Sequence, residues 1–195
     1  MITFTLAVFF LLITPGPGVL STAGLGAAYG FRAGLPYIFG LFVGSNLVSL
    51  AVVSGLAAIA FQIPGLRTIL FILSTCYLLF LAARIALAGT KIAFIRAEKQ
   101  PGFWAAITLQ AINPKAYVVG TTLFSGFILW PEAFLFEVIT KFLIINIIWV
   151  PVHFTWLWAG ASLKRLNLAP RTQRAINIAM AIAMVAVVGL AALST

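Results

Sequence analysis

Aspartate is absent from this 195-residue chain, and glutamate occurs only as Glu98, Glu132 and Glu137. Charged residues make up 8% of the sequence, against roughly 25% in a typical soluble domain. So few carboxylates leave no acidic pair for general acid and base work. The single cysteine, Cys76, excludes an internal disulfide; in its apolar run it is expected to be a small packing residue. The single histidine, His153, leaves no His/Cys/Asp cluster with metal-ligand spacing. Gly24, Gly26 and Gly30 precede no Lys-Ser or Lys-Thr pair, so no phosphate-cradling loop is present. These absences argue against an enzyme, a cofactor and an ATP-driven pump on this chain. No positive residue precedes the first apolar run, so a cleaved signal peptide is not expected.

What is present is apolar. Hydrophobic residues form 63% of the chain, and the mean hydropathy is +1.16. No soluble core could bury that much, so the chain reads as an integral membrane protein. Twelve Lys and Arg give a net charge of +9. Without aromatic-basic clusters this does not indicate nucleic acid; it matches the Lys and Arg excess of cytoplasmic membrane loops.

Two interruptions organise the apolar runs. Ile13-Thr14-Pro15-Gly16-Pro17-Gly18 lies in a segment with no charge between Met1 and Phe31. A bilayer-crossing helix needs ~20 residues. Each proline removes an amide donor and clashes with the preceding turn. Broken backbone at membrane depth is tolerated only inside protein or along a wet cavity. Ala111-Ile112-Asn113-Pro114-Lys115-Ala116 interrupts a second run at a comparable depth of the other half. Paired interruptions of this kind point to a transporter binding site, although two ordinary proline kinks would give the same pattern.

The expected fold is all-α: a polytopic membrane protein of six spans in a single domain, 1–195. The spans fall at about 2–23, 36–61, 66–88, 103–129, 134–161 and 175–194. A glycine-rich connection, Gly24 to Gly34, separates the first two, and Gly40 and Gly44 offer a small-xxx-small packing face. Gln62-Ile63-Pro64-Gly65 forms a turn, and Trp130-Pro131-Glu132 an interfacial one. The two halves, about 1–90 and 100–195, would be inverted three-span repeats with spans one and four broken. Arg32, Arg84, Lys91, Arg96, Lys99, Lys164, Arg165, Arg171 and Arg174 fall on one side, nine of the twelve Lys and Arg. By the positive-inside rule both termini lie outside the cytoplasm.

Lys115 is the most informative charge. Counting ~1.5 Å per residue from Pro101 puts it ~20 Å into the membrane, near the midplane. A charge there is costly unless it faces a cavity or a partner, and no carboxylate waits at that depth. It is expected either to meet helix-end carbonyls and a substrate carboxylate or to snorkel. Glu137 and Lys141, at i, i+4 spacing, should pair across one helix face near the membrane edge. His153 could relay a proton or simply pack, so Glu137 and His153 are the coupling candidates. Asn46 and Asn146 could hydrogen-bond a substrate or join helices. The substrate-binding set is Pro15, Gly16, Pro17, Gly18, Asn46, Asn113, Pro114, Lys115 and Asn146.

Several of these motifs match a known pattern. Thr14-Pro15-Gly16-Pro17, Tyr29-Gly30-Phe31-Arg32-Ala33-Gly34, Tyr77-Leu78-Leu79-Phe80-Leu81, and Phe103-Trp104 ahead of Asn113-Pro114-Lys115 resemble the LysE/RhtB family of amino-acid exporters over essentially the whole length. The resemblance implies a secondary exporter of amino acids or their derivatives in the bacterial inner membrane, driven by an ion gradient. Phe103-Trp104-Ala105 with Gln110 is similar to the branch that exports cysteine-like neutral amino acids. Two departures stand out. Many threonine- and homoserine-exporting relatives carry an acid where this chain has Asn146, and Gly18 replaces a frequent asparagine. The expected partners are a small amino-acid substrate, a coupling ion (most naturally a proton), the lipid bilayer and, compatibly, further copies of the chain. The rival readings are a thiol-relay oxidoreductase, which would need a second cysteine, and a non-transporting assembly partner.

Overall fold

The computed structural model describes residues 1–60, 62–86, 100–166 and 169, with scattered positions between 171 and 186. The described residues are helical, without strands. In chain order the elements are α1 (Ile2–Ile13), α2 (Pro17–Tyr29), α3 (Phe31–Val53), α4 (Leu56–Ala60), α5 (Leu66–Ala86), α6 (Phe103–Ile112), α7 (Pro114–Ser125) and α8 (Phe134–Arg165).

α3 and α8 are each long and apolar enough to cross a membrane, and α1 with α2 form a third such unit bent by 50° at the first proline motif. The apolar stretch Thr68–Ala83 of α5, and α6, are shorter than that. Ile2, Phe10, Phe39, Trp104 and Ile147 lie open on the surface, the pattern of lipid-facing side chains. Cys76 is also exposed on α5 rather than packed inside, because its helix turns that face outward.

α2 is the central helix. Every residue from Val19 to Ala27 is buried, and α8, α3, α5 and α6 all pack on it. Its small side chains explain this. A methyl added at Gly160 of α8 would run into the Ala23 carbonyl, and one at Gly26 would lie 2.5 Å from the Leu157 carbonyl. Without a hydrophobic drive between helices in lipid, such close backbone approach supplies the packing. Gly40 and Gly44 do the same between α3 and α6, against the Phe103 carbonyl and the Gln110 side chain.

The expected connection 24–34 reduces to Gly30, whose φ of 92° turns the chain directly from α2 into α3. The other glycines stay helical because they are packing contacts rather than breaks. The second span accordingly begins at Phe31, carries Pro36 inside it, and stops at Val53, short of 61. Gly55 and Gly65, with φ of 77° and 78°, make the turns on either side of α4. The fourth run is two helices separated by Asn113 alone and ends at Ser125 rather than 129. Most of 175–194, and the connection carrying Lys91, Arg96 and Lys99, lie outside the described residues.

Two apolar clusters hold the bundle. One joins Leu25 of α2, Tyr37 and Leu41 of α3, Leu109 of α6 and Leu157 of α8. The other joins Phe4 and Val8 of α1, Leu123 of α7 and Ile145 of α8. Between them lies a cavity.

Candidate functional site

Both interruptions open onto this cavity, which has a volume of about 80 Å³. One water needs roughly 10–15 Å³ by the same measure, so the space suits a small polar solute. Thr14, Gly16 and Gly18 line it from the first break, and Asn113 and Lys115 from the second. Ser45 and Ser49 of α3, Gln110 of α6, and Trp149 and His153 of α8 complete its polar and aromatic walls. Among the described residues no carboxylate lines it.

The first break follows from its prolines. Pro15 and Pro17 have no N–H, so the carbonyls of Leu11 and Ile13 lose their helical donors. Thr14 turns back on the end of α1, its hydroxyl donating to the Phe10 carbonyl at 2.5 Å. α2 then starts at Pro17, with Gly16 extended at its N-cap and no side-chain cap. The amides of Gly18 and Val19, in its first turn, have no partner within the helix. Both residues border the cavity.

The second break is closed on itself. The Asn113 side chain caps α7 by accepting from the Lys115 amide at 3.1 Å. The Tyr117 hydroxyl donates to the Ala111 carbonyl at 2.8 Å. Asn113 also donates to Gln110 Oε1 at 2.9 Å, and Gln110 Nε2 donates to Ser45 Oγ at 2.5 Å.

Lys115 bridges the two breaks. Its Nζ donates to the Thr14 carbonyl, the end of α1, at 2.6 Å. Its aliphatic stem lies over Gly16, where an added methyl would fall 2.7 Å from Cδ and 3.0 Å from Nζ. An ammonium has three donors; among the described residues one is used. A helix C-terminus favours such a cation by its dipole.

His153 is 4% exposed. Its ring stacks on Trp149, with centroids 3.7 Å apart and planes 12° from parallel. Nδ1 lies 3.0 Å from the Trp149 carbonyl.

Other expected residues lie elsewhere. Pro15, Pro17 and Pro114 shape the breaks without lining the cavity. Asn46 and Asn146 pair reciprocally across α3 and α8, at 3.1 and 2.9 Å, and are off the cavity wall. Glu137 is also off the wall. It forms the expected ion pair with Lys141, Nζ to Oε1 2.6 Å, and accepts from the amides of Leu129 and Trp130. Lys141 is not a lightly held edge residue: it is 1% exposed and also donates to the carbonyls of Phe124 and Phe127.

Gln110, Trp149, Ser45 and Ser49 were missing from the expected set. Their spacing carries a signal. Gln110 is three residues before Asn113, Trp149 four before His153, and Ser45 four before Ser49, so each pair shares a helix face. Among the described residues no group of His, Cys, Asp or Glu is placed to hold a metal ion.

The pattern of the LysE type translocator family matches residues 9–195. The chain belongs to that family. It is therefore a multi-pass membrane translocator rather than an enzyme. It is 29% identical to the cysteine/O-acetylserine efflux protein of Salmonella typhi over 173 residues, covering 89% of this chain and 87% of the relative. The proteins of that name from Escherichia coli (strain K12) and Shigella flexneri are 28% identical over the same lengths. No solved structure matches the chain.

Proposed function

We propose that this translocator is a secondary active exporter of small neutral amino acids or their derivatives across the bacterial inner membrane, binding them between broken spans one and four. The observation that carries this reading is Lys115, which reaches from the second break to the first and, among the described residues, keeps two donors unused beside the uncapped start of α2. A substrate carboxylate would take those donors and the first-turn amides, where the helix dipole also favours an anion. The substrate ammonium would face carbonyls freed by the prolines and the neutral acceptors of the cavity. The substrates in the relatives' names, cysteine and O-acetylserine, are zwitterions of this size.

The proposal includes six spans arranged as inverted repeats, a proton as coupling ion, and both termini outside the cytoplasm. The charge asymmetry supports that orientation. A reporter active only in the cytoplasm should work when inserted within Lys91–Lys99 and fail when fused after Thr195; the reverse pattern would overturn the orientation. For the activity, purified protein in liposomes should release labelled cysteine, O-acetylserine, serine or threonine under a pH gradient. If no member of the panel moves under any ion gradient, the exporter reading fails.

A further inference from the structure

Resting on the exporter reading, we infer that the Nε2 lone pair of His153, beside the gap at Gly18, is where the substrate ammonium and the coupling proton exclude one another.

The tautomer comes first. The Trp149 carbonyl can only accept, so the ring nitrogen 3.0 Å from it, Nδ1, carries the proton. In the neutral ring Nε2 is then a bare acceptor. Stacking on Trp149 holds the ring in this orientation. Nε2 has no hydrogen-bond partner among the described residues, although the side chain is almost wholly buried.

The gap comes second. A methyl built on Gly18 would sit 3.7 Å from His153 Nε2 and 3.9 Å from Gln110 Oε1. Two acceptors therefore flank one vacant wedge on the cavity wall. The bonds from Asn113 and to Ser45 fix the Gln110 amide with its oxygen as acceptor. A group that donates in several directions, such as an ammonium, fits this pair.

Charge comes third. Among the described residues, Lys115 of α7 is the charged side chain sharing the cavity; α1, α2, α3 and α6 contribute none to its wall. The buried Lys141 of α8 is matched by Glu137. No fixed anion favours an ammonium, so its recognition rests on neutral acceptors. A proton on Nε2 removes one acceptor and adds a positive charge, and both changes repel the ammonium.

The exchange balances without further reactants. A substrate ammonium arriving from the cytoplasm displaces the proton from Nε2 into the cytoplasm. When the substrate leaves outward, a proton from outside takes the lone pair. One proton enters for each amino acid that leaves.

His153 is the chain's single histidine, which permits a direct test. Wild-type protein, labelled with ¹⁵N-histidine and purified without a histidine tag, gives one ring to follow by NMR. The probe is O-acetylserine, or whichever panel member moves fastest. The expected spectrum is the Nδ1–H tautomer, with Nε2 perturbed by the amino acid and the acid-form ring losing its proton as substrate is added. Affinity should fall as pH drops, roughly tenfold per pH unit once the ring is charged, because the linkage is reciprocal. His153→Asn can keep the bond to the Trp149 carbonyl, as Asn46 does to the Phe42 carbonyl four residues back, but lacks Nε2. It should bind ten- to a hundredfold more weakly, with the acid dependence gone. A ring unmoved by saturating amino acid, or a variant whose affinity falls with acid as the wild type's does, overturns the inference. Wild-type binding is measured first, so failure to bind any amino acid marks instead the loss of the exporter reading on which the inference stands.

Discussion

Two lysines sit at opposite ends of α7, Lys141 fully buried and Lys115 half-buried, and they are bonded in opposite ways. Lys141, from α8, uses all three of its donors on the protein: Glu137, the Phe124 carbonyl and the Phe127 carbonyl. Lys115, at the start of α7, uses one among the described residues, on the Thr14 carbonyl. The first closes the turn at the end of α7 and leaves nothing for a ligand. The second faces a cavity with hydrogen-bonding capacity to spare. The two breaks differ in the same way. The second is capped by its own Asn113 and Tyr117, whereas the first, with three residues outside any helix, has no side-chain cap on α2. On the exporter reading, unused donors, rather than charge or burial alone, mark the part of the molecule proposed to meet a substrate.

This comparison can be broken at each lysine. Lys141→Met should have the largest effect. Removing one partner of a buried ion pair costs about 3 kcal/mol or more, and here it also frees two carbonyls. Thermal unfolding in detergent should move to markedly lower temperature, with transport lost in proportion to folded protein. An unchanged melting curve would mean that the saturated lysine is not structural. Lys115→Ala should do the reverse. Folding should be nearly unaffected, because Thr14 borders the cavity and its carbonyl can be solvated there, while efflux at matched protein levels falls ten- to a hundredfold at limiting substrate. Lys115→Arg should also be impaired, since a planar guanidinium does not replace a compact ammonium over Gly16. Asn113→Ala should cost a modest amount of stability, about 1 kcal/mol for a lost N-cap, less than Lys141→Met. Its substrate affinity should drop less than that of Lys115→Ala. An equal or larger drop would move the anchor from the lysine to the asparagine.

Much of this was legible in the residues. Pro15, Pro17 and Pro114 announce the breaks because proline's missing donor is a local property. The place of Lys115 directly after the second break follows from Asn113-Pro114-Lys115. Gly40 and Gly44 announce a close helix contact, which α6 then supplies. The connection between the first two spans was misplaced because a glycine inside a tightly packed helix and a glycine in a loop look alike in sequence. Between 24 and 34, Gly30 is the one glycine whose positive φ requires that residue. Lys141 was legible only in part, for a related reason. Its i, i+4 partner was visible, but the two carbonyls it also holds come from a turn that folds back from α7. Asn46 and Asn146 are matched acceptors and donors, and nothing local says that they satisfy each other. The cavity wall drew on Gln110 and Trp149, whose roles depend on which helices meet.

The central claim is that Lys115 reads a substrate carboxylate. The direct measurement pairs a change in the protein with a change in the ligand. Binding of the fastest-moving amino acid is compared with that of its amine analogue lacking the carboxylate, in the wild type and in Lys115→Ala. The account predicts that the wild type prefers the amino acid by ten- to a hundredfold and that Lys115→Ala loses most of this preference. A variant that keeps the full preference would contradict it, and would place the carboxylate elsewhere in the protein.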